Sequence, residues 1–221
     1  MPFAKLGLSS SLVQAITELG YKTPTPIQKQ AIPVILSGKD LIATAQTGTG
    51  KTAAFVLPLL ERFTKAGNLR GKRIRVLILV PTRELAVQVE SSVAQYAKHT
   101  KLTSMAVYGG VDTEAQKERL IEGVDILVAT PGRLLDLAHQ RALHFDELKV
   151  MVLDEADRMV DMGFVDDINK IMDRLPENRQ NLLFSATFSK EIKKLASGIL
   201  RNPVMVEAAP QNSTAEMVSQ R

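Results

Sequence analysis

The amino-acid sequence predicts an α/β domain with an open, mainly parallel β-sheet flanked by helices on both faces. Short apolar runs alternate along the chain with longer segments of helical periodicity, and this alternation predicts right-handed βαβ units. Most runs are apolar at successive positions, as in Ile-Arg-Val-Leu-Ile-Leu-Val over 74–80, which is typical of strands buried on both faces of a parallel sheet. With 45% hydrophobic and 24% charged residues among 221, the composition is that of an ordinary globular domain.

The predicted elements follow in a regular order. A helical preface over 1–36 contains predicted helices at 9–19 and 26–36. The predicted strands cover 40–45, 74–80, 103–108, 125–129, 149–154, 181–185 and 204–206, and the helices between them cover 53–63, 84–99, 113–122, 132–139, 165–175 and 190–200. After the last strand, small and polar residues without periodicity replace this pattern. We therefore expect one domain over 1–207, followed by a linker over 208–221.

The composition excludes several classes of site. The chain has no cysteine, which removes disulfides, thiolate metal sites and cysteine nucleophiles, and which suits a reducing cytoplasm. Its three histidines have no spacing that suggests a metal site. No uncharged apolar stretch approaches the roughly 18 residues that span a bilayer, and the first residues do not form a secretory signal. We therefore expect a cytoplasmic protein without a membrane partner, and a monomer, although no sequence feature fixes the oligomeric state.

The charge balance is only mildly basic. There are 28 lysines and arginines against 24 acidic residues, so the formal net charge is +4 at pH 7. So small a surplus is only a hint of a polyanionic partner. The basic segment over 65–75 is expected to form a solvated loop, and a nucleic-acid contact there is the less favoured alternative.

The most specific motif is a phosphate-binding loop. Ala-Gln-Thr-Gly-Thr-Gly-Lys-Thr over 45–52 lies between a predicted strand and a predicted helix, with alanine where the simple P-loop pattern has its first glycine. Gly48 and Gly50 allow a tight turn whose N–H groups point at phosphate oxygens, and the helix N-terminus adds partial positive charge. Lys51 is placed to reach the β- and γ-phosphates, and the Thr52 hydroxyl to bind Mg²⁺. A glycine-rich turn without function is disfavoured, because the required strand and helix flank the motif.

A second motif supplies carboxylates. Val-Met-Val-Leu-Asp-Glu-Ala-Asp over 150–157 is a hydrophobic strand that ends in acidic residues, which places them at the carboxyl edge of the sheet, where open α/β sheets bind ligands. Asp154 is expected to hold Mg²⁺ through water, and Glu155 to orient and deprotonate an attacking water. An acidic strand end alone is often only a helix cap. Together with the P-loop it favours hydrolysis over transfer to an acceptor, for which the sequence offers no recognisable site.

The motifs occur in an order that resembles the first RecA-like domain of DEAD-box RNA helicases, a family named after the Asp-Glu-Ala-Asp at 154–157. Upstream, Gly-Tyr-Lys-Thr-Pro-Thr-Pro-Ile-Gln at 20–28 is similar to the family's Q motif, with Phe3 as its isolated aromatic residue. The stretch over 179–188 resembles the bacterial RhlE-like branch in particular. The other family motifs are Pro-Thr-Arg-Glu-Leu-Ala at 81–86, Gly-Gly at 109–110, Thr-Pro-Gly-Arg at 130–133 and Ser-Ala-Thr at 185–187.

The resemblance implies a site for ATP or ADP with Mg²⁺, in which Lys51, Asp154 and Glu155 are catalytic and Gln28 reads the adenine edge. Gln28 also has a local interpretation, because Thr25 and Gln28 have the spacing of a capping box. For the aromatic residues of the Q motif, ordinary packing is the alternative. The implied nucleotide-binding residues are Phe3, Tyr21, Lys22, Gln28, Gln46, Thr47, Gly48, Thr49, Gly50, Lys51 and Thr52, with Thr52 and Asp154 at the metal.

The resemblance also implies that loops at the same sheet edge grip the backbone of single-stranded or duplex RNA, which positions a strand without reading its sequence. Arg83 and Arg133 would then act as phosphate forks. Ser185 and Thr187 would couple the nucleotide state to the RNA grip, partly through hydrogen bonds with Asp157. For any one loop, a capped βα turn without function is the alternative. The implied RNA-binding residues are Pro81, Thr82, Arg83, Gly109, Gly110, Thr130, Pro131, Gly132, Arg133 and Gly163.

In the family this pattern continues into a second RecA-like domain with arginine fingers, which the resemblance implies as a partner from the same full-length protein. We expect the present chain, as the ATP-binding half, to bind ATP or ADP weakly, to hydrolyse ATP slowly and to unwind nothing, since an arginine finger is worth roughly 10³–10⁵ in rate. Two other functions stay open. One is a DNA translocase of the same superfamily, and the other is a nucleotide-gated RNA-binding module with negligible turnover.

Overall fold

The computed structural model describes residues 2–67 and 73–208. A 3-10 helix at Ala4–Leu6 and helices α1 (Ser10–Glu18) and α2 (Pro26–Leu36) precede the sheet. The strands are β1 (Leu41–Thr44), β2 (Val76–Leu79), β3 (Ser104–Val107), β4 (Ile126–Ala129), β5 (Val150–Leu153), β6 (Gln180–Ser185) and β7 (Val204–Glu207). The other helices are α3 (Lys51–Lys65), α4 (Arg83–Tyr96), α5 (Thr113–Ile121), α6 (Pro131–His139), α7 (Ala156–Asp161), α8 (Val165–Met172) and α9 (Lys190–Ile199).

The strands form one seven-stranded parallel sheet in the order β3-β4-β2-β5-β6-β1-β7. This confirms the predicted α/β class and the parallel sheet. The first strand of the chain lies between the last two, with Thr44 paired to Ser185 on one side and to Glu207 on the other. The sheet order therefore differs from the chain order, and long-range pairing decides it.

Successive residues of each central strand enter two separate cores on opposite faces of the sheet. Leu41 and Ala43 pack with the preface, α3 and α4, in a core whose buried rings Phe55 and Phe184 have centroids 5.0 Å apart. Ile42 lies between them in sequence and packs into the second core, beneath α6, α7, α8 and α9. Burial on both faces explains why the strands appear in the sequence as nearly continuous apolar runs.

The structure differs from the sequence predictions mainly at the ends of elements. For example, β6 begins one residue earlier than predicted, at Gln180, and α4 ends at Tyr96 instead of 99. The 3-10 helix and the six-residue α7 were not predicted, because they are too short to show a helical period in the sequence. Of the predicted linker only Ala208 lies within the described residues, and positions 68–72 of the basic segment lie outside them. No helix in the described ranges is long and apolar enough to cross a membrane.

Parallel pairing brings the loops that follow the strands to one edge of the sheet. The strand order divides these loops into two groups. Those after β1, β5 and β6 carry the P-loop, the Asp-Glu pair and Ser-Ala-Thr, whereas those after β2, β3 and β4 carry the residues implied to bind RNA, except Gly163, which follows α7. Because β2 and β5 are neighbours, the two groups meet at the middle of the edge.

Candidate active site

The P-loop leaves β1 and turns directly into α3. Gly48 and Gly50 have φ values of 83° and 84°, in the left-handed region that favours glycine. The Thr49 hydroxyl donates to the Gln46 carbonyl at 2.7 Å, which closes the turn. The turn leads straight into the N-terminus of α3, whose unpaired N–H groups and dipole make it suitable for an anion.

Lys51, at the start of α3, lies against the two carboxylates that follow β5. Its Nζ is 3.1 Å from Asp154 Oδ1 and 3.6 Å from Glu155 Oε1. Lys51 is 7% exposed and Asp154 is fully buried, so this is a desolvated ion pair. Burial raises the pKa of Asp154 above its ordinary value, and the charge of Lys51 only partly opposes that shift. The three side chains predicted to be catalytic are thus brought together.

The carboxylate of Asp154 fits the predicted metal role. Both of its oxygens are buried and lack a well-aligned hydrogen bond among the described residues, and the favourable contacts of the carboxylate are limited to Lys51, at 3.1 Å from Oδ1, and the Glu155 backbone. An oxygen left in this state is suited to a cation or to the water bound to one. Within the described residues no group of three His, Cys, Asp or Glu side chains could hold a metal by itself. Mg²⁺ would therefore need oxygen ligands from a bound phosphate, as is usual at such sites.

Glu155 adopts a strained backbone conformation. Its φ of 53° and ψ of 50° lie in the left-handed region, which costs a non-glycine residue about 1–3 kcal/mol. It is also the N-cap of α7, and its carboxylate lies between Lys51 and Arg158, with Oε2 3.6 Å from Arg158 Nη1. Strain of this kind is concentrated at functional sites, where the surrounding structure enforces it.

The P-loop and these carboxylates line a cleft of about 270 Å³. A face of α4 and Tyr21 also line it. The α4 wall was not predicted from the sequence, because the helical spacing of positions 85, 88, 89, 92 and 96 does not distinguish a cleft wall from a core face. The α4 residues that line the cleft are Leu85, Gln88, Val89, Ser92 and Tyr96.

Gln28 is buried and connects α2 to the P-loop. Its Oε1 accepts from the Thr25 backbone N–H at 2.9 Å, which together with the Thr25 side chain facing the Gln28 N–H confirms the local capping-box interpretation. Its Nε2 donates to the Gly50 carbonyl at 3.1 Å. A Cβ added to Gly50 would lie 2.5 Å from Gln28 Nε2, so glycine is required here by close approach as well as by its φ.

The aromatic residues of the Q motif have different environments. Phe3 is 3% exposed and packs against Tyr21, with ring centroids 6.5 Å apart, but it is not part of the cleft wall. Tyr21 lines the cleft, and its hydroxyl is 2.7 Å from that of Tyr96. Lys22 is exposed and does not line the cleft.

The loops after β2, β3 and β4 are tied to one another by arginine contacts. The Arg83 guanidinium lies over the Tyr108 ring, 5.3 Å from its centroid. Arg133 donates to Gln116 Oε1 at 2.8 Å and to the Val111 carbonyl at 3.1 Å. These contacts give both arginines a structural function, since they hold three loops in one arrangement.

The capped-turn alternative also has support in these loops. Thr82 is the N-cap of α4 and its hydroxyl accepts from the Leu85 N–H at 3.2 Å. Thr130 is the N-cap of α6, with Pro131 at the first helical position. Capping by Thr82 and Thr130 leaves the neighbouring glycines and the helix N-termini at the sheet edge. It is therefore compatible with binding of an RNA sugar–phosphate backbone by these loops.

Comparison with known proteins identifies the family to which the chain belongs. The chain matches the family model described as DEAD/DEAH box helicase over residues 25–195, which is more than half of its length. The chain belongs to this family. Its relatives include the DEAD-box ATP-dependent RNA helicase RhpA of Helicobacter pylori, 46% identical over 99% of this chain and 44% of the relative. The probable ATP-dependent RNA helicase ddx27 of Dictyostelium discoideum is 48% identical over 93% of the chain and 26% of the relative.

This DEAD-box chain spans less than half the length of these relatives. The RNA helicase CrhR of Synechocystis is similarly related, 44% identical over 99% of the chain and 44% of its own length. None of these names singles out the RhlE-like branch, so that resemblance stays a prediction.

The residues implied to couple nucleotide and RNA lie close to the site. Ser185 ends β6, and its hydroxyl accepts from the Thr187 N–H at 3.4 Å. Among the described residues no hydrogen bond joins Asp157 to Ser185 or Thr187, so this part of the prediction remains open. Gly163, with φ 82°, follows α7 and ends the turn there.

Proposed function

We propose that this chain is the ATP-binding half of an ATP-dependent RNA helicase that couples ATP hydrolysis to RNA unwinding or to remodelling of RNA–protein complexes. The observation that carries the proposal is Lys51, held between Asp154 and Glu155 at the mouth of the P-loop. A phosphate-binding lysine, a metal-binding carboxylate and a base are the groups that hydrolysis of a triphosphate needs. The names of the relatives support ATP and RNA as the nucleotide and the polymer.

In the proposed reaction Lys51 exchanges its partners. When ATP binds, its β- and γ-phosphates are stronger anionic partners for the Lys51 ammonium group than the two carboxylates are. Lys51 then leaves Asp154 and Glu155, and both carboxylates become free for other contacts. Thr52 and Asp154 would hold Mg²⁺, which supplies charge neutralisation between the β- and γ-phosphates when bound. Glu155 orients a water for attack on the γ-phosphorus and accepts its proton, while the bond from that phosphorus to the β-phosphate oxygen breaks.

Adenine recognition by Gln28 is compatible with its capping role. A glutamine amide has two N–H donors and an oxygen with two lone pairs. Gln28 uses one donor on Gly50 and one lone pair on Thr25, so one of each is left. Adenine presents the acceptor N7 beside the donor N6 amine, whereas guanine presents O6 in place of that amine. The free pair on Gln28 therefore favours adenine.

RNA is proposed to bind across the loops after β2, β3 and β4, where the glycines and helix N-termini offer backbone N–H groups to phosphates. The chain is proposed to act with a second RecA-like domain of the same full-length protein, joined through a linker over 208–221 after a domain over 1–207. Without that domain we expect slow hydrolysis and no unwinding. A cytoplasmic, monomeric protein is part of the same proposal.

Calorimetric titration of this chain with ADP and GDP tests the nucleotide site. We expect ADP to bind more tightly than GDP, Gln28→Ala to remove this preference, and Lys51→Ala to abolish binding. Lys39→Ala, at an exposed lysine on the way into β1, is the matched control and should bind as the wild type does. Equal binding of both nucleotides would refute the adenine assignment, and binding retained in Lys51→Ala would refute the phosphate assignment.

The polymer and the turnover are tested in the protein that contains both RecA-like domains. We expect phosphate release to be stimulated by RNA more than by DNA, and Glu155→Gln to lower it by about 10²–10⁴ while nucleotide binding is retained. Stimulation by DNA alone would indicate a translocase. Negligible release with intact RNA binding would indicate a nucleotide-gated module.

A further inference from the structure

Two tyrosines meet at the cleft through their hydroxyl groups. The hydroxyl oxygens of Tyr21 and Tyr96 are 2.7 Å apart, a short hydrogen bond, and their rings pack edge to face with centroids 6.0 Å apart. Both residues line the cleft beside the P-loop. Tyr21 comes from the Q motif and Tyr96 is the last residue of α4, 75 positions away. The pair therefore joins two elements that the sequence does not link.

The position of Tyr21 follows from how α1 ends. Gly20 has φ 86° and its N–H donates to the Thr17 carbonyl at 3.0 Å. The Tyr21 N–H donates to the Ile16 carbonyl at 2.9 Å. These two bonds make a Schellman motif, which fixes the backbone at Tyr21 but leaves its side-chain torsions to be set by tertiary contacts.

Charged contacts attach the end of α1, close to Tyr21 in the chain, to the residues that follow α4. Glu18, the last residue of α1, accepts from Lys98 Nζ at 2.8 Å and lies 2.9 Å from His99 Nε2. Lys98, followed by His99, lowers the pKa of Glu18 to about 2, so its carboxylate stays charged at neutral pH. The end of α1 is thus held to the segment that follows α4, close in the chain to both Tyr21 and Tyr96.

The Tyr96 hydroxyl needs its partner. Tyr96 is 4% exposed, and a buried hydroxyl without a hydrogen bond is costly. Burial, followed by the Tyr21 hydroxyl, raises the pKa of Tyr96, so the group stays neutral and keeps its hydrogen bond across the physiological range. Tyr21 is only partly buried and lines the cleft, so its side chain is accessible to a ligand there.

We infer that Tyr96 is a positioning residue for the purine base, because its buried hydroxyl fixes the Tyr21 ring as the wall against which the base stacks. The inference rests on the proposed nucleotide site. An unfixed Tyr21 ring would have to be ordered when nucleotide binds, and ordering one side chain weakens binding by about two- to tenfold. The phosphates lie against the P-loop and do not require this ring, so only ligands that carry a base should be affected.

The test compares ADP with inorganic pyrophosphate, a ligand without a base, by calorimetry on this chain. Tyr96→Phe and Tyr21→Phe each remove the hydroxyl pair and keep both rings. Tyr108→Phe is the matched control, because the Tyr108 hydroxyl makes no hydrogen bond within the described residues. Since the chain has three tyrosines and no tryptophan, its emission is that of tyrosine alone, and any ADP-induced change that is lost in Tyr21→Phe comes from Tyr21.

We expect Tyr96→Phe to weaken ADP binding about two- to tenfold and to leave pyrophosphate binding unchanged. Tyr21→Phe should match it, and the double variant should be no weaker than either single one, because both remove the same bond. ADP should quench the tyrosine fluorescence of Tyr108→Phe but much less that of Tyr21→Phe.

Two results would overturn the inference and leave the proposed nucleotide site intact. One is that Tyr96→Phe binds ADP as tightly as the wild type does. The other is that Tyr96→Phe loses equal affinity for ADP and for pyrophosphate, which would indicate a general structural role. Absence of ADP binding in the wild type would overturn the proposed nucleotide site together with the inference. If Tyr96→Phe does not fold, Tyr21→Phe removes the same bond from its more exposed side and decides the question.

Discussion

The close approach of Gly50 to Gln28 predicts a difference in stability between two glycines of the same loop. Gly48 and Gly50 have nearly the same φ, 83° and 84°, so alanine meets the same backbone strain at both. A Cβ at Gly48 would meet no atom within 4 Å, whereas a Cβ at Gly50 would lie 2.5 Å from Gln28 Nε2. Gly50→Ala must therefore displace the Gln28 side chain, and Gly48→Ala need not.

The magnitude follows from the bonds that Gln28 would lose. Left-handed strain costs an alanine about 1–2 kcal/mol at either position. Displacing Gln28 breaks its bonds to Thr25 N and to the Gly50 carbonyl, at about 0.5–1.5 kcal/mol each. We therefore expect a loss of about 1–2 kcal/mol for Gly48→Ala and about 2–5 kcal/mol for Gly50→Ala. For a chain of this size, each kcal/mol lowers the Tm by about 2–4 °C.

Equilibrium urea unfolding without nucleotide measures both losses, with Gly48→Ala as the matched control. A cycle with Gln28→Ala isolates the clash with that side chain, because removing Gln28 should bring the cost of Gly50→Ala close to that of Gly48→Ala and leave only the 3.1 Å approach to Thr25 Oγ1. Equal losses at the two glycines, or additive effects of Gly50→Ala and Gln28→Ala, would show that no clash between Gln28 and a Cβ at position 50 destabilises the chain.

Two further predictions concern charged groups. Asp154→Asn should raise the free energy of unfolding of the nucleotide-free chain at pH 7, because burial raises the pKa of Asp154 and its charge therefore opposes folding. Because this pKa is raised, the contribution of the Asp154 carboxyl to stability is fully present below its ordinary pKa of 3.8 and is lost as the pH rises through its folded-state pKa. The increase in the free energy of unfolding caused by Asp154→Asn should therefore vanish as the pH falls towards 3.8. Thermal unfolding at several pH values measures this, and a lower Tm for Asp154→Asn at pH 7 would contradict it. Arg133→Ala should destabilise the chain by about 2–3 kcal/mol, because Gln116 and the Val111 carbonyl lose a charged donor. Urea unfolding measures it against Arg119→Ala, an exposed arginine in α5, and equal losses would show that Arg133 does not hold the loops.

The strands and the P-loop were predictable from the sequence because their signals are local. The run over 150–153 is apolar on both faces and ends in acidic residues, so its strand and its position at the sheet edge follow from a few neighbours. The same holds for Gly48 and Gly50, whose spacing to Lys51 defines a phosphate loop. Short elements such as α7 were not predicted, because six residues contain less than two helical turns.

The contacts that complete the site were not predictable in this way. The α4 stripe that includes Tyr96 has the same spacing whether it faces a core or a cleft, and only the packing of α3 beside α4 decides which. The left-handed conformation of Glu155 gives no sequence signal, since glutamate has no preference for it. Arg83 and Arg133 were assigned to phosphate from the family resemblance, and the structure adds their contacts with Tyr108 and Gln116.

Local sequence patterns were enough to predict the α/β class, the strands, the phosphate loop and the acidic strand end, because each depends on residues a few positions apart. Three other features become visible only in the folded chain: β1 lies between β6 and β7, Lys51 pairs with Asp154, and Tyr96 contacts Tyr21. These contacts join residues separated by tens of positions or more. Their choice depends on which helices and strands bury the most apolar surface together, a property of the whole chain that no local pattern records.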